Sequence, residues 1–202
     1  MFKRLNINEV ILYLTLSDVF TWGISAIFTS LAGLYLATKF NGNVIEYIGI
    51  GTSVYFVARS AFQLPVGAIC DRIKRDYDEV YLLMFGNITM GFSYLMFPII
   101  RSAYFYLFLQ FLFGMGAAFN LVTWRKLFAK NLNLGKEGKE YAGYDTIMSG
   151  LTALFCVMAG YIANQGQTYF EIVIIVIGAL MLLSSIWPFL ILNVNRRRSK
   201  KI

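Results

Sequence analysis

The sequence predicts an all-α membrane protein of six transmembrane helices with both termini cytoplasmic. Three observations lead there. The 202 residues are 58% hydrophobic and 14% charged, against roughly 45–50% and 25% in soluble domains, and the mean hydropathy is +0.61. The apolar residues gather into six runs long enough to cross a bilayer. The bases sit at the ends of those runs, and always at the same alternate ends.

The start carries Lys3 and Arg4 and reads as cytoplasmic. The first helix spans about 9–39, and Asn41, Gly42 and Asn43 turn it back outside. The second spans about 45–70, with Pro65 near its inner end. A charged inner loop follows. The third spans about 79–100, with Pro98 near its outer end, and 101–103 makes a short outer turn. The fourth spans about 104–124, and 125–140 forms the longest loop, polar and Lys-rich. The fifth spans about 141–163. The sixth spans about 169–193, before the basic tail Arg196-Arg197-Arg198-Ser199-Lys200-Lys201. The whole chain is read as one transmembrane domain.

Charge tests this order. All the Lys and Arg residues fall on the inner segments except Lys39 and Arg101, which fall outside, and Arg59, which falls within a helix. Lys and Arg accumulate on the cytoplasmic side of membrane proteins, so both termini face the cytoplasm of a cell membrane, plasma or bacterial inner. The net charge of +7 therefore reads as topology and not as a nucleic-acid stripe. The chain has no His, and Cys70 and Cys156 are far apart, which leaves no basis for a Cys/His metal site or a His-activated nucleophile. No cofactor and no enzyme chemistry is expected.

The inner loop after the second helix reads Gly67-Ala-Ile-Cys-Asp71-Arg72-Ile-Lys74-Arg75. Gly-x-x-x-Asp-Arg-x-x-Arg at this place resembles the loop motif of the major facilitator superfamily. Gly67, Asp71, Arg72 and Arg75 fill the matching positions, and Lys74 stands where a glycine is usual. The fourth helix carries Gln110-Phe-Leu-Phe-Gly114-Met-Gly116-Ala-Ala, similar to the superfamily's fourth-helix pattern, with Gln110 in place of the usual Arg. The fifth helix has Gly150 and Gly160 but not the Gly-Pro pair of many antiporters, which disfavours drug–proton antiport. A full member has two six-helix halves related by an axis along the membrane normal. The resemblance covers one such half. It implies a half-size transporter completed by a second copy in a parallel homodimer; a heterodimer with a related half and a piece of a longer transporter are the rivals. It also implies that Asp71 lies near the inner start of a helix in the opposite half, with Arg125 completing a conformational gate.

Charges within the membrane need a reason, since insertion costs roughly 2.5–3.5 kcal/mol each. Asp18 and Arg59 lie at comparable depths by residue count, so they are expected as a pair, within or between subunits. Helical spacing adds companions: Thr21, Ser25 and Thr29 with Asp18, and Trp22 beside them; Thr52, Tyr55 and Gln63 with Arg59; Ala117, Asn120 and Trp124 with Gln110; Ser149, Thr152 and Cys156 with Asp145. Polar stripes on helices one, two, four and five face a bundle interior or a cavity, whereas the third and sixth, nearly without such residues, are expected at the periphery. The same stripes serve packing in a non-transporting subunit or scaffold, the alternative to a transporter. Under the transport reading, Asp18, Trp22, Tyr55, Arg59, Gln63, Gln110, Asn120 and Asp145 line the pathway of a small solute. Asp18 is the candidate proton carrier and Arg59 the candidate contact for an anion.

Overall fold

The computed structural model of the chain describes residues 8–40, 42–72 and 76–199. Lys3, Arg4, Asn41, Lys74, Arg75, Lys200 and Lys201 lie outside the described residues.

The first helix is one continuous rod in three parts: α1 (Glu9–Asp18), a π-helical turn (Val19–Gly23) and α2 (Ile24–Lys39). Asn8 caps it, its side chain accepting from the Val10 amide at 3.1 Å. Then come α3 (Val44–Arg72), α4 (Asp76–Leu95), a 3-10 turn at Phe97–Ile99, α5 (Ala103–Asn131) and α6 (Glu137–Ala163). The last span is split into α7 (Gln167–Leu183) and α8 (Ile186–Ser199). Among the described residues, five spans are long and apolar enough to cross a membrane: Glu9–Lys39, Tyr77–Ile99, Ala103–Asn131, Glu137–Ala163 and Gln167–Val194. α3 matches them in length and falls short in apolar character, which singles it out among the six expected spans.

Three expectations need correction. The fourth helix runs on to Asn131 instead of stopping at 124, and only a short link separates it from α6. Hydropathy ends at Arg125, but the helical period does not: Trp124, Leu127 and Phe128 keep one face buried. Gly135, with φ +77°, makes the reversal, a backbone conformation open chiefly to glycine. The sixth helix is not continuous. Pro188 cannot donate to the Ser184 carbonyl, and its ring crowds that oxygen, so the chain breaks at Ser184–Ser185. Nor is this span bare to lipid all round, because Phe170, Val173, Ile174, Ile177 and Met181 are buried. The third helix, α4, turns Phe85, Ile88 and Phe92 outward, as a peripheral span does, and with its other face packs against α5, α7 and α8, burying Asn87, Met90 and Tyr94.

The interior is layered. The half away from the chain's two ends is aromatic: Phe28, Tyr94, Phe97 and Tyr106 pack together, with the Phe28 and Tyr94 rings 3.8 Å apart. The half that holds α1 and α8 joins Leu14, Leu83, Trp124, Phe128 and Ile191. Between them lies a polar layer of Ser17, Asp18, Thr21, Asn87, Asn120 and Ser184, all buried. Small residues set the helix spacing. A Cβ on Gly114 would fall 2.4 Å from the Tyr55 carbonyl oxygen of α3, and one on Gly86 would fall 2.6 Å from the Asn120 amide of α5. Such close approach replaces the hydrophobic drive that lipid removes. At the end of α2 Lys39 bridges Glu171 at 2.9 Å and donates to the Pro98 carbonyl at 3.3 Å, tying three spans together.

Coverage is uneven. α6 has no buried residue, and α3 buries only Gly51, Ala58, Val66 and Cys70. These two helices flank the first helix and leave much of their surface open.

Candidate functional site

The polar layer is built around the π-helical turn. A π-turn inserts a residue and is frequent at functional sites. Here it splits the stripe expected on the first helix. Asp18, 4% exposed, accepts a hydrogen bond from Tyr144 of α6. The Thr21 hydroxyl lies 2.9 Å from the Ser184 hydroxyl at the α7–α8 break. Ser25 shares a hydrogen bond with the Tyr94 hydroxyl of α4 at 3.1 Å. Three residues expected on one face thus address three different helices, and Thr29 bonds only its own helix. Trp22 donates to Asn120 at 2.8 Å, Asn120 to Asn87 at 2.7 Å, and Asn87 to Ser17 at 2.9 Å. This chain ties the first, third and fourth helices together, and its side-chain amides are satisfied within it. Gly23 lets α6 close on the turn: a Cβ there would be 2.6 Å from the Thr152 hydroxyl.

Asp18 and Arg59 do not meet within the chain. Arg59 donates to the Tyr55 hydroxyl, one turn away on α3, at 3.1 Å. Depths counted from predicted helix ends put the two level, but packing separates them. The Arg59 backbone lies beside Gly114, whereas Tyr144, the partner of Asp18, packs on Trp124 at 5.0 Å. Ten residues of α5 separate Gly114 from Trp124, about 15 Å along the axis. Around Arg59 the Tyr55 ring sits 5.5 Å from Phe113, which stacks on Tyr94 at 4.5 Å. Gln110, in the place of the superfamily's usual Arg, donates to Tyr106 of its own helix at 3.1 Å. Gln63 is half-buried, and Asp145 and Ser149 are exposed on α6.

At the end of α3 the loop motif meets α5. Asp71 has its side chain 83% exposed and lies 3.9 Å from Lys126. Arg125, the expected gate partner, is exposed, as is Arg72. Lys126 also donates to the Cys70 carbonyl. The tighter pairing is with Glu79, whose side chain is fully buried and takes Lys126 at 2.9 Å and Lys130 at 3.0 Å. A Cβ at Gly67 would meet nothing within 4 Å, so packing within the chain does not demand a glycine there.

Sequence reasoning missed Glu79, Lys126, Tyr144 and Ser184 as participants. Lys126 and Lys130 stand four apart, on one face of a helix, which was the available signal for a shared acid. Tyr144 adjoins Asp145, and the acidic neighbour drew the attention. Among the described residues no cluster of Cys, Asp or Glu is arranged to hold a metal.

Apolar spans of membrane length, joined by small residues around a buried polar layer, define a multi-pass membrane protein. A family model described as Major Facilitator Superfamily matches residues 14–202, and the chain belongs to that superfamily. Its members are membrane transporters of small solutes and are generally not enzymes. No match is found among curated proteins or among solved structures.

Proposed function

We propose that the chain is a secondary active transporter of a small solute, working by alternating access as a parallel homodimer of half-transporters. It sits in the cell membrane with both termini cytoplasmic. The observation that carries this reading is the uncovered pair of helices. α3 exposes Thr52, Ser53 and Ser60, and α6 exposes Asp145, Ser149 and Gly150. Polar and small residues on outward faces at bilayer depth call for a protein partner. Both helices touch the first helix, α6 along its length and α3 at α2. A two-fold axis along the membrane normal therefore sets α3 of each copy against α6 of its partner, covering both faces with one self-complementary contact.

In this assembly Asp71 and Arg72 stand at the inner seam, and their exposure leaves them available to the partner's α6. Arg125 and Lys126 extend the charged cluster. The first and fourth helices, with Trp22, Asn120 and Gln110, line the path between the halves, and Asp18 is the candidate proton carrier. Native mass spectrometry in nanodiscs, with solute flux into proteoliposomes, tests the reading. Dimers with flux that Asp71→Asn removes while the fold persists support it; a strict monomer, or full flux in Asp71→Asn, overturns the assembly or the gate. One observation favours the reading as a non-transporting subunit: the Trp22–Asn120–Asn87–Ser17 chain is satisfied within the protein, as packing alone would have it. Dimers without flux for any solute would select that alternative.

A further inference from the structure

Arg59 lies halfway along α3, about 20 Å from either end at 1.5 Å per residue. An arginine that deep cannot bring its head to the membrane surface. Its recorded partner is the Tyr55 hydroxyl at 3.1 Å. That hydroxyl belongs to a ring packed on Phe113, so the guanidinium stays on the side of α3 that faces α5 and the bundle, away from lipid. A guanidinium carries five N–H donors, and most of these are left to spare.

The acids of the chain do not reach this depth. α5 has no Asp or Glu from Ala103 to Asn131, and α6 has none beyond Asp145. On α3 itself the nearest acids are Glu46 and Asp71, thirteen and twelve residues away, about 18–20 Å. Asp18 is occupied by Tyr144, about 15 Å further in. Glu79 and Asp71 sit at the inner end, and Glu171 at the outer end with Lys39. A second copy brings the same sequence at the same depths, so dimerisation supplies no counter-charge either. What remains is a charge from the solute.

We infer that Arg59 is an anion-binding site for the transported solute, a small molecule bearing a carboxylate or a phosphate group. The planar fork of a guanidinium matches either group through two parallel hydrogen bonds. Tyr55 orients the fork and, being half-buried, offers its ring to the apolar remainder of the solute, while Phe113, buried against Tyr94, holds that ring in place. This rests on the transport reading, because it takes the α3–α5 side as facing the path.

The test is binding, read separately from flux and from assembly. The whole protein in nanodiscs is titrated with sodium benzoate, with inorganic phosphate and with uncharged benzamide, at fixed ionic strength, following tryptophan fluorescence and the thermal midpoint. The expected result is a saturable response to benzoate or to phosphate, whichever group the site takes, and none to benzamide. Arg59→Gln should weaken the response at least tenfold, as loss of a charged hydrogen-bonding group does. Arg59→Lys should weaken it by several-fold, since it keeps the charge and loses the fork. Tyr55→Phe should weaken it less. If Arg59→Gln does not fold, the Lys and Phe variants carry the comparison. No response to either anion, an equal response to benzamide, or an undiminished response in the Arg59 variants overturns the assignment. Anion binding by a protein that native mass spectrometry finds monomeric would sink the assembly and spare Arg59; a flux-competent dimer blind to both anions would do the reverse.

Discussion

Replacing Glu79 by Gln is the most direct trial of how the inner end is held. The Glu79 side chain is fully buried, with Lys126 at 2.9 Å and Lys130 at 3.0 Å. The substitution keeps the shape and removes the charge, leaving two ammonium groups facing a neutral amide. Breaking a buried ion pair from one side costs about 3–5 kcal/mol. The two lysines are 24% and 42% exposed at their side chains, so water takes up part of the loss, and about 2 kcal/mol is the expected destabilisation. For a chain of this size that lowers the thermal midpoint by about 4–8 °C. The assay is thermal unfolding in nanodiscs, with Asp78→Asn, an exposed neighbouring acid, as the reference. A drop no larger in Glu79→Gln than in Asp78→Asn would refute the reasoning and place the inner anchor elsewhere.

Further outcomes follow from the packing. Gly114→Ala should destabilise by about 1–3 kcal/mol, because its Cβ falls 2.4 Å from the Tyr55 carbonyl oxygen and forces α3 off α5; Gly138→Ala, in the exposed first turn of α6 with nothing within 4 Å, should leave the thermal midpoint level. Tyr144→Phe should cost about 1.5–3 kcal/mol by removing the donor to a buried carboxyl group. The loss should shrink when Asp18→Asn is already present, as a double-mutant cycle measures.

The number and order of the spans were legible because lipid imposes its length on apolar runs, and charge marks their ends. What hydropathy hides is where a helix continues into water. α5 keeps its buried face through Leu127 and Phe128 while Arg125, Lys126 and Lys130 make the stretch look like a loop. The break at Ser184–Ser185 was signalled only by Pro188, three residues on. The candidate site was legible as a set of residue types at the right helices and not as a set of contacts. Period-3.6 spacing placed Asp18, Thr21 and Ser25 on one face, and the π-turn between them undoes that spacing. Depth counted from helix ends made Asp18 and Arg59 neighbours, while the contact of Gly114 with α3 fixes a level that single-helix arithmetic could not supply.

The π-turn at Val19–Gly23 gives the first helix an odd count, and an odd count works as a phase break. The two halves of this rod, α1 and α2, each keep their own angular frame. A substitution that moves a polar group by one position on one side of the break leaves the orientation on the other side untouched. The helix can therefore hold Asp18 toward α6 and Ser25 toward α4, two demands that a uniform α-helix of the same sequence length would have to trade against each other.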